Sequence, residues 1–138
     1  MQDFIEYFNN SFNIKNINPR QYSPLVLAYI GDSVFDLIIK SKVINDGNAP
    51  VNKLHRKTSN YVKASAQAQL FREIEDLLTE EEISIYKRGR NAKSGTVPKN
   101  ADLMDYKMAT GLEALIGFLY LNKKFERIID LIVKGVNK

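Results

Sequence analysis

Two segments of this chain are apolar around almost their whole circumference, and each holds a stranded carboxylate. Residues 25–39 read LVLAYIGDSVFDLII, with Asp32 at the centre and Asp36 one turn later on about the same face. Residues 108–122 read MATGLEALIGFLYLN, in which Glu113 is the single charged residue. Such a pattern predicts helices buried on most sides. An unpaired carboxylate taken out of water costs several kcal/mol even after relaxation, so Asp32 and Glu113 each need a partner or a cation. Glycines stand beside both acids: Gly31 next to Asp32, and Gly111 and Gly117 around Glu113. Glycine inside a helix costs about 1 kcal/mol relative to alanine, and close backbone approach is a common reason to tolerate it.

Two closely crossing helices would bring Asp32 and Glu113 together. Adjacent carboxylates repel unless a proton or a metal ion lies between them, and hard oxygen donors suit Mg²⁺. Such an ion generates a hydroxide nucleophile and stabilises charge on a phosphoryl oxygen. The plainer alternative ties each acid to an Arg or Lys in an internal salt bridge. Asp36 is the weaker ligand, because Lys40 stands one turn further on and can pair with it.

The rest of the pattern is all-α. Ser23-Pro24 opens a helix expected over about 24–40. A long helix is expected from about Pro50 towards Leu78, with Leu54, Tyr61, Ala68 and Phe71 at helical spacing. Thr79 to Glu82 fits a capping box that starts a short helix ending near Gly89. Residues 90–100, RNAKSGTVPKN, read as a mobile loop. Further helices are expected over 102–121 and 125–134, the last stopped by Gly135, with a short amphipathic one over 3–9. There is no β-period and no repeat. At 138 residues the expectation is one domain, 1–138, with its core over about 20–134.

Charge is unevenly spread. From Gly47 to Arg72 there are bases and no acid, residues 73–82 hold six acids and no base, and Lys87 to Lys99 is basic again. Two basic stretches suit a polyanion, although solvated helix faces also look like this. With no cysteine, a disulfide scaffold, a thiolate nucleophile and a Cys-based zinc site are excluded. No apolar run is long enough to span a bilayer and no export signal opens the chain, so a soluble cytoplasmic protein without a membrane partner is expected.

The wording of these segments is similar to a known family. LAYIGDSVFD resembles the signature helix of the ribonuclease III family, and LEALIGFLYL its second acidic helix. LHRKTSNYVKASAQA and RGRNAKSGTVPKNAD resemble the Mini-III group, which is reduced to the catalytic domain. The four segments match in order over residues 20–134. The resemblance implies the ribonuclease III endonuclease-domain fold, a helical bundle, as a homodimer. It implies a Mg²⁺-dependent endoribonuclease, with Mn²⁺ as substitute, cutting double-stranded RNA to 5′-phosphate and 3′-hydroxyl ends, and maturation of large-subunit ribosomal RNA as its task.

Carried over by position, the family's metal-binding acids fall on Asp32 and Glu113. Two further acids of full-length members are replaced here by Ala28 and Thr110, which leaves Asp36, Thr110 or water to complete the shell. Tyr29 stands where the family has an aromatic that plugs into the partner subunit; an ordinary core aromatic is the plainer reading. No double-stranded-RNA-binding domain is expected, so the RNA grip is expected to fall to Lys53, His55, Arg56, Lys57 and Lys63 on one helix, and to Arg88, Arg90, Asn91, Lys93, Ser94 and Lys99 around the loop. A non-catalytic RNA-binding or ribosome-associated module on the same fold is the alternative.

Overall fold

The computed structural model describes residues 2–93 and 102–137. Seven α-helices are formed there: α1 Gln2–Ser11, α2 Pro24–Asn45, α3 Val51–Val62, α4 Ala64–Ile74, α5 Glu80–Asn91, α6 Leu103–Leu121 and α7 Phe125–Val136, with 3₁₀ turns at Pro19–Gln21 and Glu75–Leu77. No strand occurs among the described residues, and no helix of theirs is long and apolar enough to cross a membrane. The all-α expectation holds.

Helix α6 is the axis, packed against α2, α4, α5 and α7. Leu112 and Leu115 from α6 are fully buried among Leu27, Phe35 and Ile39 of α2, Ile74 of α4 and Ile85 of α5. Phe71 stacks on Tyr86, ring centroids 3.7 Å apart, which joins α4 to α5. The caps follow the local sequence. The Ser23 hydroxyl accepts the Val26 amide, Asp102 accepts that of Asp105, and Thr79 and Glu82 close a reciprocal capping box. Glu82 is buried and also receives the Arg127 guanidinium of α7 at 2.8 and 2.9 Å.

Several boundaries differ from the sequence expectation. Helix α2 continues to Asn45, because Val43 extends the buried row of Phe35 and Ile39 by another turn. Helix α5 runs past Gly89, which lies against α6, and takes Asn91 from the expected loop. The single helix expected from Pro50 to Leu78 is divided at Lys63, whose φ of −63° and ψ of 154° are extended. The break lets α3 pack on α2 while α4 turns to α6 and α7. Gly135 lies inside α7 rather than ending it: a Cβ there would come 2.5 Å from Leu70 Cγ, so the glycine serves the approach of α7 to α4.

Candidate active site

Helices α2 and α6 touch through their backbones. A Cβ at Gly31 would overlap the Glu113 carbonyl oxygen and come within 2.7 Å of the Gly117 amide nitrogen; one at Gly117 would overlap the Leu27 carbonyl. This contact carries Asp32 and Glu113 to the same crossing, close enough for the charge of Asp32 to act on the Glu113 carboxyl. Among the described residues neither acid forms a salt bridge. The internal Arg or Lys partner entertained from sequence is absent from that set.

The two acids are not equivalent. Asp32 is exposed, whereas Glu113 is half-buried. The desolvation cost expected for both therefore falls on Glu113, and one side of α2 is not covered within one chain. Leu25, Val26 and Leu37 are 40, 46 and 52% exposed, and Tyr29 is 80% exposed, which corrects its reading as a core aromatic. Burial pushes the Glu113 carboxyl up to about 8; the Gln67 hydrogen bond opposes this, and the charge and hydrogen bond of Asp32 add to it. Glu113 thus holds a proton near neutral pH. Two carboxyl groups that cannot both ionise cheaply are a donor set that a hard divalent cation fits. Asp32 and Glu113 are the residues that could hold one.

Sequence reasoning missed Gln67. Its side chain is buried on α4 and its Nε2 donates to Glu113 Oε2 at 3.2 Å and to the Val62 carbonyl at 2.9 Å. The signal was present: Gln67 lies three, four and seven positions before Leu70, Phe71 and Ile74, on the apolar stripe of its helix. An amide in that register must find partners.

Asp36 is drawn to Lys40 at 2.9 Å, and no group of three His, Cys, Asp or Glu able to hold a metal exists among the described residues. The Thr110 hydroxyl donates to the Tyr106 carbonyl at 3.1 Å. Lys53, His55, Arg56 and Lys63 are exposed and Lys57 is half-buried, along α3 and its end. Arg88 is half-buried and donates to the Tyr22 carbonyl at 3.2 Å. Arg90 lies 5.8 Å from the Tyr86 ring centre and donates to Asn91 at 3.1 Å. Asn91 and Lys93 are exposed. Ser94 and Lys99 lie outside the described residues.

Residues 25–124 match the model of the ribonuclease III domain. A Mini-ribonuclease 3 from Thermoanaerobacter sp. (strain X514) is 53% identical over 114 residues, spanning 83% of this chain and 80% of that protein. A Mini-ribonuclease 3 from Clostridium tetani is 50% identical over 119 residues, spanning 86% and 79%. A crystal structure of a Fusobacterium nucleatum protein, 36% identical, superposes with a TM-score of 0.78 over 86% of this chain and 94% of that one. With that match, and with its acid pair set at a backbone-to-backbone helix crossing, the chain belongs to the ribonuclease III family, in its Mini-ribonuclease 3 group, and is an endoribonuclease.

Proposed function

We propose that this endoribonuclease hydrolyses double-stranded RNA in a Mg²⁺-dependent reaction centred on Asp32 and Glu113. The observation that carries the reading is their meeting across the α2–α6 crossing with no salt-bridge partner among the described residues. A divalent cation held there supplies Lewis acidity, which activates water and offsets charge at phosphorus. Asp32, the exposed member, faces incoming RNA. Glu113, which holds a proton near neutral pH, would give it up to take a cation. In the overall reaction, water oxygen bonds to phosphorus and the bond to the 3′ oxygen breaks, leaving a 5′-phosphate and a 3′-hydroxyl.

The duplex is held through phosphates and 2′-hydroxyls by Lys53, His55, Arg56, Lys57 and Lys63, and by Arg88, Arg90, Asn91 and Lys93, with Ser94 and Lys99 proposed as further RNA contacts. The active form is a homodimer built on the uncovered face of α2 around Tyr29, whose 80% exposure supports a partner there. The cellular substrate is the precursor of large-subunit ribosomal RNA, in the cytoplasm.

The test incubates purified protein with a long RNA duplex and, separately, with its single strands, in Mg²⁺ or in EDTA. Defined fragments from the duplex in Mg²⁺ alone are expected. A protein that binds duplex RNA and leaves it intact in Mg²⁺ and in Mn²⁺ is a binding module, and the proposal fails.

A further inference from the structure

One polar side chain in the core is oriented by something other than packing. Gln67 is 3% exposed, yet its Oε1 has no hydrogen-bond partner among the described residues. A buried amide oxygen left unpaired is costly, so the opposite end of the amide must be held firmly. The break at Lys63 explains how. Val62 ends α3, and a helix end leaves carbonyls without intrahelical partners. A carbonyl can only accept, so the Val62 oxygen fixes the amide with its nitrogen inward. The same nitrogen then donates to Glu113 Oε2. Turning the amide over would set its oxygen against both the Val62 carbonyl and the Glu113 carboxyl, lone pair against lone pair.

We propose that Gln67 is a positioning residue: clamped by the end of α3, it ties down one oxygen of Glu113, leaves the other for Asp32, and so sets how strongly the acid pair takes a divalent cation. This rests on the nuclease reading for its purpose but not for its geometry. Gln67 touches neither RNA nor the reacting atoms in this scheme. It acts through Glu113 alone, as outer partners of metal-holding carboxylates do.

Gln67→Met keeps the volume and removes both donated hydrogen bonds; Gln67→Leu is the second variant should the first be poorly folded by circular dichroism. Full-length native and variant proteins are titrated with Mn²⁺, read by electron paramagnetic resonance, and assayed for duplex cleavage across Mg²⁺ concentration. The expected result is an affinity for Mn²⁺ weaker by about tenfold or more. Half-saturation in Mg²⁺ should rise in parallel, with KM for duplex RNA at saturating metal unchanged. A folded variant with native Mn²⁺ affinity and native Mg²⁺ dependence overturns the role, even where its melting temperature has fallen. If native protein binds Mn²⁺ but cuts no RNA, and the variant binds Mn²⁺ more weakly, the nuclease reading falls and the role of Gln67 stands. Native protein that binds no Mn²⁺ overturns both.

Discussion

Gly31 lies directly against the main-chain carbonyl of Glu113, with no room between them for a methyl group. Gly31→Ala therefore forces α2 and α6 apart at the acid pair. Overpacking costs about 1–3 kcal/mol where side chains can adjust, and a backbone neighbour cannot, so about 3 kcal/mol or more is expected. Gly117→Ala should behave alike, since its Cβ would meet the Leu27 carbonyl. Gly135→Ala meets mainly the Leu70 side chain and should cost less. Urea midpoints of the three variants give the order.

Asp32 is exposed, so Asp32→Asn removes charge without opening a cavity. The variant should melt as the native protein does, bind duplex RNA with similar affinity, and cleave about 10³-fold more slowly in Mg²⁺, a loss of about 4 kcal/mol of transition-state stabilisation. Native-rate cleavage by this variant would remove Asp32 from the chemistry.

Glu113, raised to about 8 from an ordinary 4.5, sets an alkaline limb of stability in EDTA. The unfolded chain releases this proton from about pH 4.5 and the folded one only near 8. Its contribution is thus full below 4.5 and is lost as pH rises to 8. Gln at this position mimics the protonated acid, donating to Asp32 and accepting from Gln67. Thermal melts should show Glu113→Gln close to native at pH 5 and increasingly more stable towards pH 8, with a constant gap above that.

An acid limb belongs to Glu82. Burial works against its ionisation, but the Arg127 hydrogen bonds, the Thr79 amide and the Arg127 charge together outweigh this and hold the carboxyl below its ordinary value. The stability so gained is present above about pH 4.5 and disappears as pH falls through the folded value. Arg127→Met leaves a buried carboxylate held by Thr79 without its guanidinium partner and should cost about 3 kcal/mol at pH 7. The gap between variant and native should close as the pH is lowered below 4.

For the proposed RNA grip, Lys53→Ala and Arg56→Ala should each weaken duplex binding across sequences. Each should also lower the slope of log affinity against log salt by about one. Lys134, exposed on α7, serves as the control, and its alanine variant should keep the native slope.

The sequence made the helix crossing legible because its cause is local: two apolar runs, each interrupted by glycine with an acid nearby, admit few other uses. Caps at Ser23 and Thr79 were equally readable, since a capping side chain bonds within three residues of itself. The division at Lys63 was not. No proline or glycine marks it, and what turns the chain is the demand of two different partners, α2 for α3 and α6 for α4. Gln67 was overlooked for a related reason, because its meaning depends on a carbonyl that only the division exposes. Asp32 was read as buried because a helix apolar on every side looks the same whether its covering comes from its own chain or from elsewhere.

That division at Lys63 has a bearing on how such a protein can be altered. The cation-bearing face of α3 is joined to α4 by a single extended residue, while α4 is fastened into the core and braces Glu113. In the proposed grip, the exposed cations of α3 can be changed while the Val62 carbonyl at its end and α4 keep their hold on Gln67 and Glu113, so selectivity and turnover would be separable traits in one small chain.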